Sequence, residues 1–209
     1  MRRQFSLVIA LATVFVPISA GAQAARNSAA LVSTEGTVYL NEQSVAADFA
    51  ARELPDNAVV RTDHGRAAIA LRRGGWLFLD AGASVRVLPN DVYNFNRMEV
   101  LSGSAIVMSA TSTPLVTCGS DVRLSDTGTF RFDAQPVTPS GERSCGFRVF
   151  EGAAAVPLAS LTVALRAGQK MTCNRRCGDM VPWNEFPREK LDDFDEWARR
   201  MQRRLQDGQ

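Results

Sequence analysis

The sequence predicts a mainly β protein: an antiparallel sandwich or roll of many short strands, carrying one C-terminal amphipathic α-helix. Three observations predict it. From residue 30 onward, apolar residues alternate with polar or small ones in runs a few residues long, the period of a half-buried strand. Gly, Asp, Asn, Pro and Ser separate these runs at short intervals, which suits the turns of an all-β domain. Between residues 55 and 170 no helical period competes, whereas the C-terminal segment has a clear one.

The N-terminus has the three-part pattern of a secretory signal peptide. "MRRQ" is basic, the run from Phe5 to Ile18 is apolar, and Ala22-Gln23-Ala24 offers a small-x-small cleavage site. Residues 1–24 are therefore expected to be removed after Ala24, with Ala20 or Ala22 as rival sites. An uncleaved anchor helix is the alternative, although the run is short for a membrane span. No cysteine lies near the site, which argues against a lipoprotein. Residues 25–30 read as a linker. The expected location is the periplasm or the medium.

Removing 1–24 lowers the basic side chains from 24 to 22, level with the 22 acidic ones. A neutral mature chain lacks the electrostatic footprint of a nucleic-acid binder. Its length suits one domain with a proper core, and no later segment is apolar enough to span a membrane.

Thirteen candidate strands follow in order: "TVYLN", "AVVRT", "RAAIAL", "WLFLD", "SVRVL", "RMEVL", "SAIVM", "PLVTC", "DVRLS", "TFRFD", "FRVFEG", "AAVPL" and "TVALRAG". Residues 44–54 suit one helical turn or an irregular connection. Within 61–89, Ala67, Ile69, Leu71, Leu77, Leu79, Val85 and Val87 fall on one strand face, and Trp76, Phe78 and Arg86 on the other. Aromatic rings beside an arginine on an outward face suit stacking on sugars or docking a partner. Trp76, Phe78 and Arg86 are accordingly the candidate recognition residues. The favoured alternative is that the apolar stripe of the final helix covers this face, since exposed apolar patches are uncommon.

The four cysteines, Cys118, Cys145, Cys173 and Cys177, suit an oxidising compartment. The favoured pairing is Cys173–Cys177, closing "CNRRC", with Cys118–Cys145 joining two strands. A four-thiolate zinc site would want two close pairs, and only one pair is close. Residues 173–187 thus read as a disulfide loop and connector. The helix is expected over 188–207, after Pro187. Leu191, Phe194, Trp197, Met201 and Leu205 form its apolar stripe, acidic residues lead, arginines trail, and Gly208 supplies the stop.

Catalytic patterns are sparse. The single histidine, His64, sits in Asp63-His64-Gly65, which reads as the exposed tip of a hairpin. Ser84 alternates with Val85 and Val87 like an ordinary strand residue. There is no GxSxG, HExxH, Walker loop or GxGxxG, so neither a cofactor nor a metal is expected. A pair of glycosidase carboxylates has no sequence spacing to test.

In order and spacing, "GTVYLNEQSV", "LPDNAVVRTDHGRAAIALRRGGWLFLDAGASVRVL" and "RMEVLSGSAIV" resemble the FecR domain. The matching positions are Gly36, Val38, Arg61, Thr62, Gly75, Leu77, Leu79, Leu101 and Gly103. "GTFRFD", "FRVFEGAAAV" and "LRAGQKMTC" continue the match, so the resemblance covers about residues 31–172. It implies a β-rich extracytoplasmic domain that binds other components rather than a catalyst. Signalling members place a sigma-factor-controlling segment before a membrane helix. Only "MRRQ" precedes the apolar run here, so the resemblance is expected to extend to the outer module and not to sigma control. The function expected from the sequence is non-enzymatic binding of an envelope protein or glycan, with an envelope scaffold or a glycan hydrolase as rivals.

Overall fold

The computed structural model describes residues 29–46, 49–72, 74–89, 97–109, 114–117, 119–125, 127–136, 138–139, 144–157, 161–174 and 183–208. The expected signal peptide, Cys118 and Cys177 lie outside these. In chain order the strands are β1 (Ala30–Glu35), β2 (Val38–Leu40), β3 (Gln43–Ser44), β4 (Arg52–Glu53), β5 (Val59–Thr62), β6 (Arg66–Ala70), β7 (Trp76–Leu79), β8 (Ser84–Val87) and β9 (Met98–Ser109). They continue with β10 (Pro114–Thr117), β11 (Ser120–Leu124), β12 (Gly128–Ala134), β13 (Ser144–Glu151), β14 (Ala153–Pro157), β15 (Thr162–Arg166), β16 (Gln169–Asn174) and β17 (Asn184–Glu185), before helix α1 (Asp193–Asp207).

The strands build two layers. One runs β4-β1-β6-β7-β9-β12-β13-β16-β17. The other runs β3-β2-β5-β8-β9-β10-β11-β14-β15. Among the described residues every pairing is antiparallel except β9 with β10. β9 belongs to both layers: its first half pairs with β8 and β10, its second with β7 and β12. "RMEVL" and "SAIVM", read as two strands, are thus one strand that bends between layers at Gly103, where φ is +75°. A Cβ there would lie 2.5 Å from the Cα of Ala83.

Alternation explains the core. Ile69, Leu71, Leu77 and Leu79 from one layer meet Val60, Val85 and Val87 from the other in one continuous apolar cluster, and Phe130, Phe132 and Phe147 fill its later half. Five strands are missing from the sequence reading: β1 and β16, of six residues each, and β3, β4 and β17, whose two residues each are too few to show a period. In the stretch left open at 44–54, Arg52 and Glu53 pair with β1.

Asp63-His64-Gly65 is a correction. It does not close a hairpin, because β5 and β6 lie in different layers and pair with other strands. The segment is a corner crossing against a second corner at Gly36, with Asp63 N–H donating to the Thr37 carbonyl at 3.0 Å. A Cβ on Gly36 would stand 2.5 Å from the His64 carbonyl oxygen, and one on Gly65 would overlap that of Glu35. Both hairpin tips and layer crossings favour glycine, so local sequence does not separate them.

Helix α1 starts at Asp193, five residues after the expected start at 188. Asp192 caps it, accepting hydrogen bonds from the backbone N–H of Phe194 and Asp195, while Asp195 accepts from that of Asp192. Gly208 ends it in the left-handed conformation, φ 73°. Among the described residues no helix is long and apolar enough to cross a membrane.

Candidate functional site

The outer face of the layer containing β6, β7 and β9 carries Ala68, Ala70, Trp76, Phe78, Ile106 and Met108. Helix α1 lies on it. Phe194, Trp197, Ala198 and Met201 are buried there, and the Phe78 and Trp197 rings meet edge to face at 5.8 Å and 88°. Small Ala68 and Ala70 leave the depth that these rings fill. At its exposed side, Trp197 donates its indole N–H to Glu35 Oε2 at 2.9 Å.

This placement realises the alternative that the final helix covers this face, and it removes the recognition role given to Trp76 and Phe78. Trp76 is 6% exposed and Phe78 0%, so neither presents a ring to a ligand while the helix is docked. Arg86 is in the other layer, paired with Glu99 at 3.6 Å. The three residues are not brought together. A strand pattern tells which face a residue occupies; what covers that face is settled by elements far away in the chain.

Beside the helix lies an ionic cluster that sequence reading missed. Arg131, on β12, donates from Nε to Asp133 Oδ1 at 3.0 Å, and from Nη1 to Asp192 Oδ2 at 2.6 Å and Asp195 Oδ1 at 2.9 Å. Asp133 also accepts from Ser104 Oγ at 2.6 Å and from Arg148 Nη2 at 2.7 Å. Burial alone would lower the pKa of Arg131, but Asp133 and Asp195 outweigh it and hold the guanidinium firmly charged. Burial would likewise raise Asp133, yet Arg131, Ser104 and Arg148 hold it below the usual carboxylate range. Asp192 is lowered as well: burial acts against ionisation, and the Asp195 backbone N–H with Arg131 prevails. The guanidinium also lies 5.4 Å over the Phe194 ring. The sequence marks Asp192 and Asp195 only as part of the acidic lead of the helix. Asp195 is in fact 4% exposed, one step round the helix from Phe194.

Next to this cluster the outer face opens into a cleft of about 410 Å³. Gly146 and Arg148 of β13, Lys170 and Thr172 of β16, Asp133, and Phe186 with Lys190 from the connector border it. Phe186 is fixed against Phe150 at 5.1 Å and 82°. Neither lysine has an acidic partner among the described residues.

The remaining sequence candidates sit apart. The His64 side chain is 91% exposed at its corner, with nothing around it to exclude water. Ser84 belongs to β8, as its alternation predicted. Cys145 and Cys173 face each other in the β13–β16 register, both buried, and the described residues hold no free cysteine. They also hold no group of three His, Cys, Asp or Glu able to ligate a metal.

No protein-family model matches the chain, and no curated protein does. Two crystal structures from Parabacteroides distasonis ATCC 8503, each described as a "putative anti-sigma factor", are similar in fold, with TM-scores of 0.51 at 17% and 16% identity. Each similarity covers 63% of this chain and 61% of the other, so this chain spans less than two thirds of those neighbours' length. At such identity the likeness speaks for the fold.

Proposed function

We propose that the chain is a non-enzymatic, FecR-like recognition domain, exported from the cytoplasm, that binds a protein or glycan of the cell envelope. The observation that carries this reading is the likeness in fold to structures described as putative anti-sigma factors, joined to the FecR-like order of motifs. The charge chemistry agrees with it. A glycan hydrolase needs a carboxylic acid kept protonated, whereas Asp133 and Asp192 are both driven toward ionisation and are both paired with Arg131. Two disulfides, Cys118–Cys145 and Cys173–Cys177, complete the proposal.

Affinity capture from an envelope fraction, with the mature chain as bait, tests the reading. One discrete envelope component should be enriched over an unrelated exported bait. Release of soluble sugar from envelope glycan by the purified chain would instead make it an enzyme. A reporter fused at the C-terminus should be active only in the exported compartment, with Ala25 at the mature N-terminus. The neighbours' names favour one second reading, control of a sigma factor, which would show as a co-purifying sigma factor rather than an envelope component.

A further inference from the structure

Gly146 draws attention because nothing local requires a glycine there. It lies in the middle of the described β13 pairing with Asp133 and Thr172. An added Cβ would meet only Asp133, at 3.7 Å or more, which is ordinary contact. Neither backbone strain nor close packing excludes a side chain. What the missing side chain does is leave bare backbone between Asp133 and Thr172 in the lining of the 410 Å³ cleft, a volume within the roughly 300–1,000 Å³ of small-ligand sites.

The walls are unequal in charge. Arg148 and Lys170 stand opposite each other in register on the outer face, and Lys190 approaches from the connector. The acidic residue of the lining, Asp133, already serves Arg131, Arg148 and Ser104. Arg148 is thereby held in place while retaining guanidinium donors beyond the Nη2 contact. The lysines have no acidic partner among the described residues. Phe186, Pro187 and the lysine stems add apolar wall, and Thr172 adds a hydroxyl.

We propose that this cleft binds a carboxylate-bearing saccharide, with the sugar ring over Gly146 and its carboxylate between Arg148, Lys170 and Lys190. A bare backbone strip, an apolar wall and a hydroxyl suit a pyranose ring, and the two lysines, without an acidic partner among the described residues, suit its acid group beside Arg148. The proposal names the ligand class for the recognition reading above and rests on it.

Calorimetric titration of the full chain with tetragalacturonate, cellotetraose and tetraglutamate tests it, using wild type, Lys170→Ala/Lys190→Ala and Gly146→Val. Tetragalacturonate should bind saturably and cellotetraose should not. Both variants should weaken binding at least about tenfold, the scale of one lost charge-assisted hydrogen bond. Gly146→Val keeps every charge and covers the bare strip, and its thermal midpoint shows whether the fold is intact. Absence of tetragalacturonate binding, or binding that both folded variants retain, overturns the proposal. Equal or tighter binding of tetraglutamate, lost in the same variants, assigns the cleft to an acidic protein segment and overturns it too. Capture of an envelope component without tetragalacturonate binding would remove the cleft assignment and leave the recognition reading standing.

Discussion

Arg131 is the residue on which the outer face depends. It meets three carboxylates, and Asp195 among them is nearly inaccessible to solvent. Arg131→Met keeps much of the stem and removes the cation, leaving the buried Asp195 carboxyl with the Asp192 backbone N–H but without its guanidinium. A buried pair broken on one side costs about 3–5 kcal/mol, and urea unfolding should show a loss of that size. A loss below about 1 kcal/mol would mean that the cluster behaves as a surface bridge. Acid should act on the same groups. Asp133 and Asp192 have folded pKa values below their ordinary value near about 4. Their contribution is therefore complete above that value and is lost as pH falls through the depressed folded values. Stability should hold from neutrality to about pH 5 and fall below about pH 4, and Arg131→Met should flatten that fall. At the crossed corners, Gly65 is buried and Gly65→Ala forces a Cβ onto the Glu35 carbonyl, so the midpoint should drop.

At the scale of elements, the helix was legible, and its seat on the Trp76 and Phe78 face was one of two readings that the sequence left open. Its stripe from Phe194 to Leu205 and its Gly208 stop follow from period and dipole and are realised, whereas the Asp192 cap was not read from the sequence. That Phe194 and Trp197 would land on Trp76 and Phe78 depends on contacts across more than a hundred residues, which no local period encodes. Trp197→Ala removes both the ring contact with Phe78 and the hydrogen bond to Glu35. The expected cost is about 3–5 kcal/mol, read by thermal unfolding. Ending the chain after Lys190 removes the helix altogether and uncovers Trp76, Phe78, Ile106 and Met108 as one apolar patch. Such a patch should bind an environment-sensitive dye and promote association. If the shortened chain stays monomeric and dye-free, the helix is not what keeps that face dry.

For the whole molecule, the two layers are tied by β9 and by the crossings at its corners, so the domain should unfold as one cooperative unit. The cysteines test how much covalent closure adds. Non-reducing peptide maps should show Cys118–Cys145 and Cys173–Cys177, and reduction should lower stability by about 2–4 kcal/mol. A peptide joining Cys145 to Cys173, which stand opposite in register, would replace that pairing.

The sequence by itself determined the β class, the strand faces, the inter-sheet core and the terminal helix, because each is written in a short period that burial imposes on consecutive residues. Only the tertiary structure decided that Asp63-His64-Gly65 is a corner, that one strand serves both layers, and that the Trp76 and Phe78 rings lie beneath the helix. It alone assembled Arg131 with Asp192 and Asp195, and the cleft around Gly146. Those features join residues distant along the chain, and a local pattern states which face is apolar or charged without stating what will meet it.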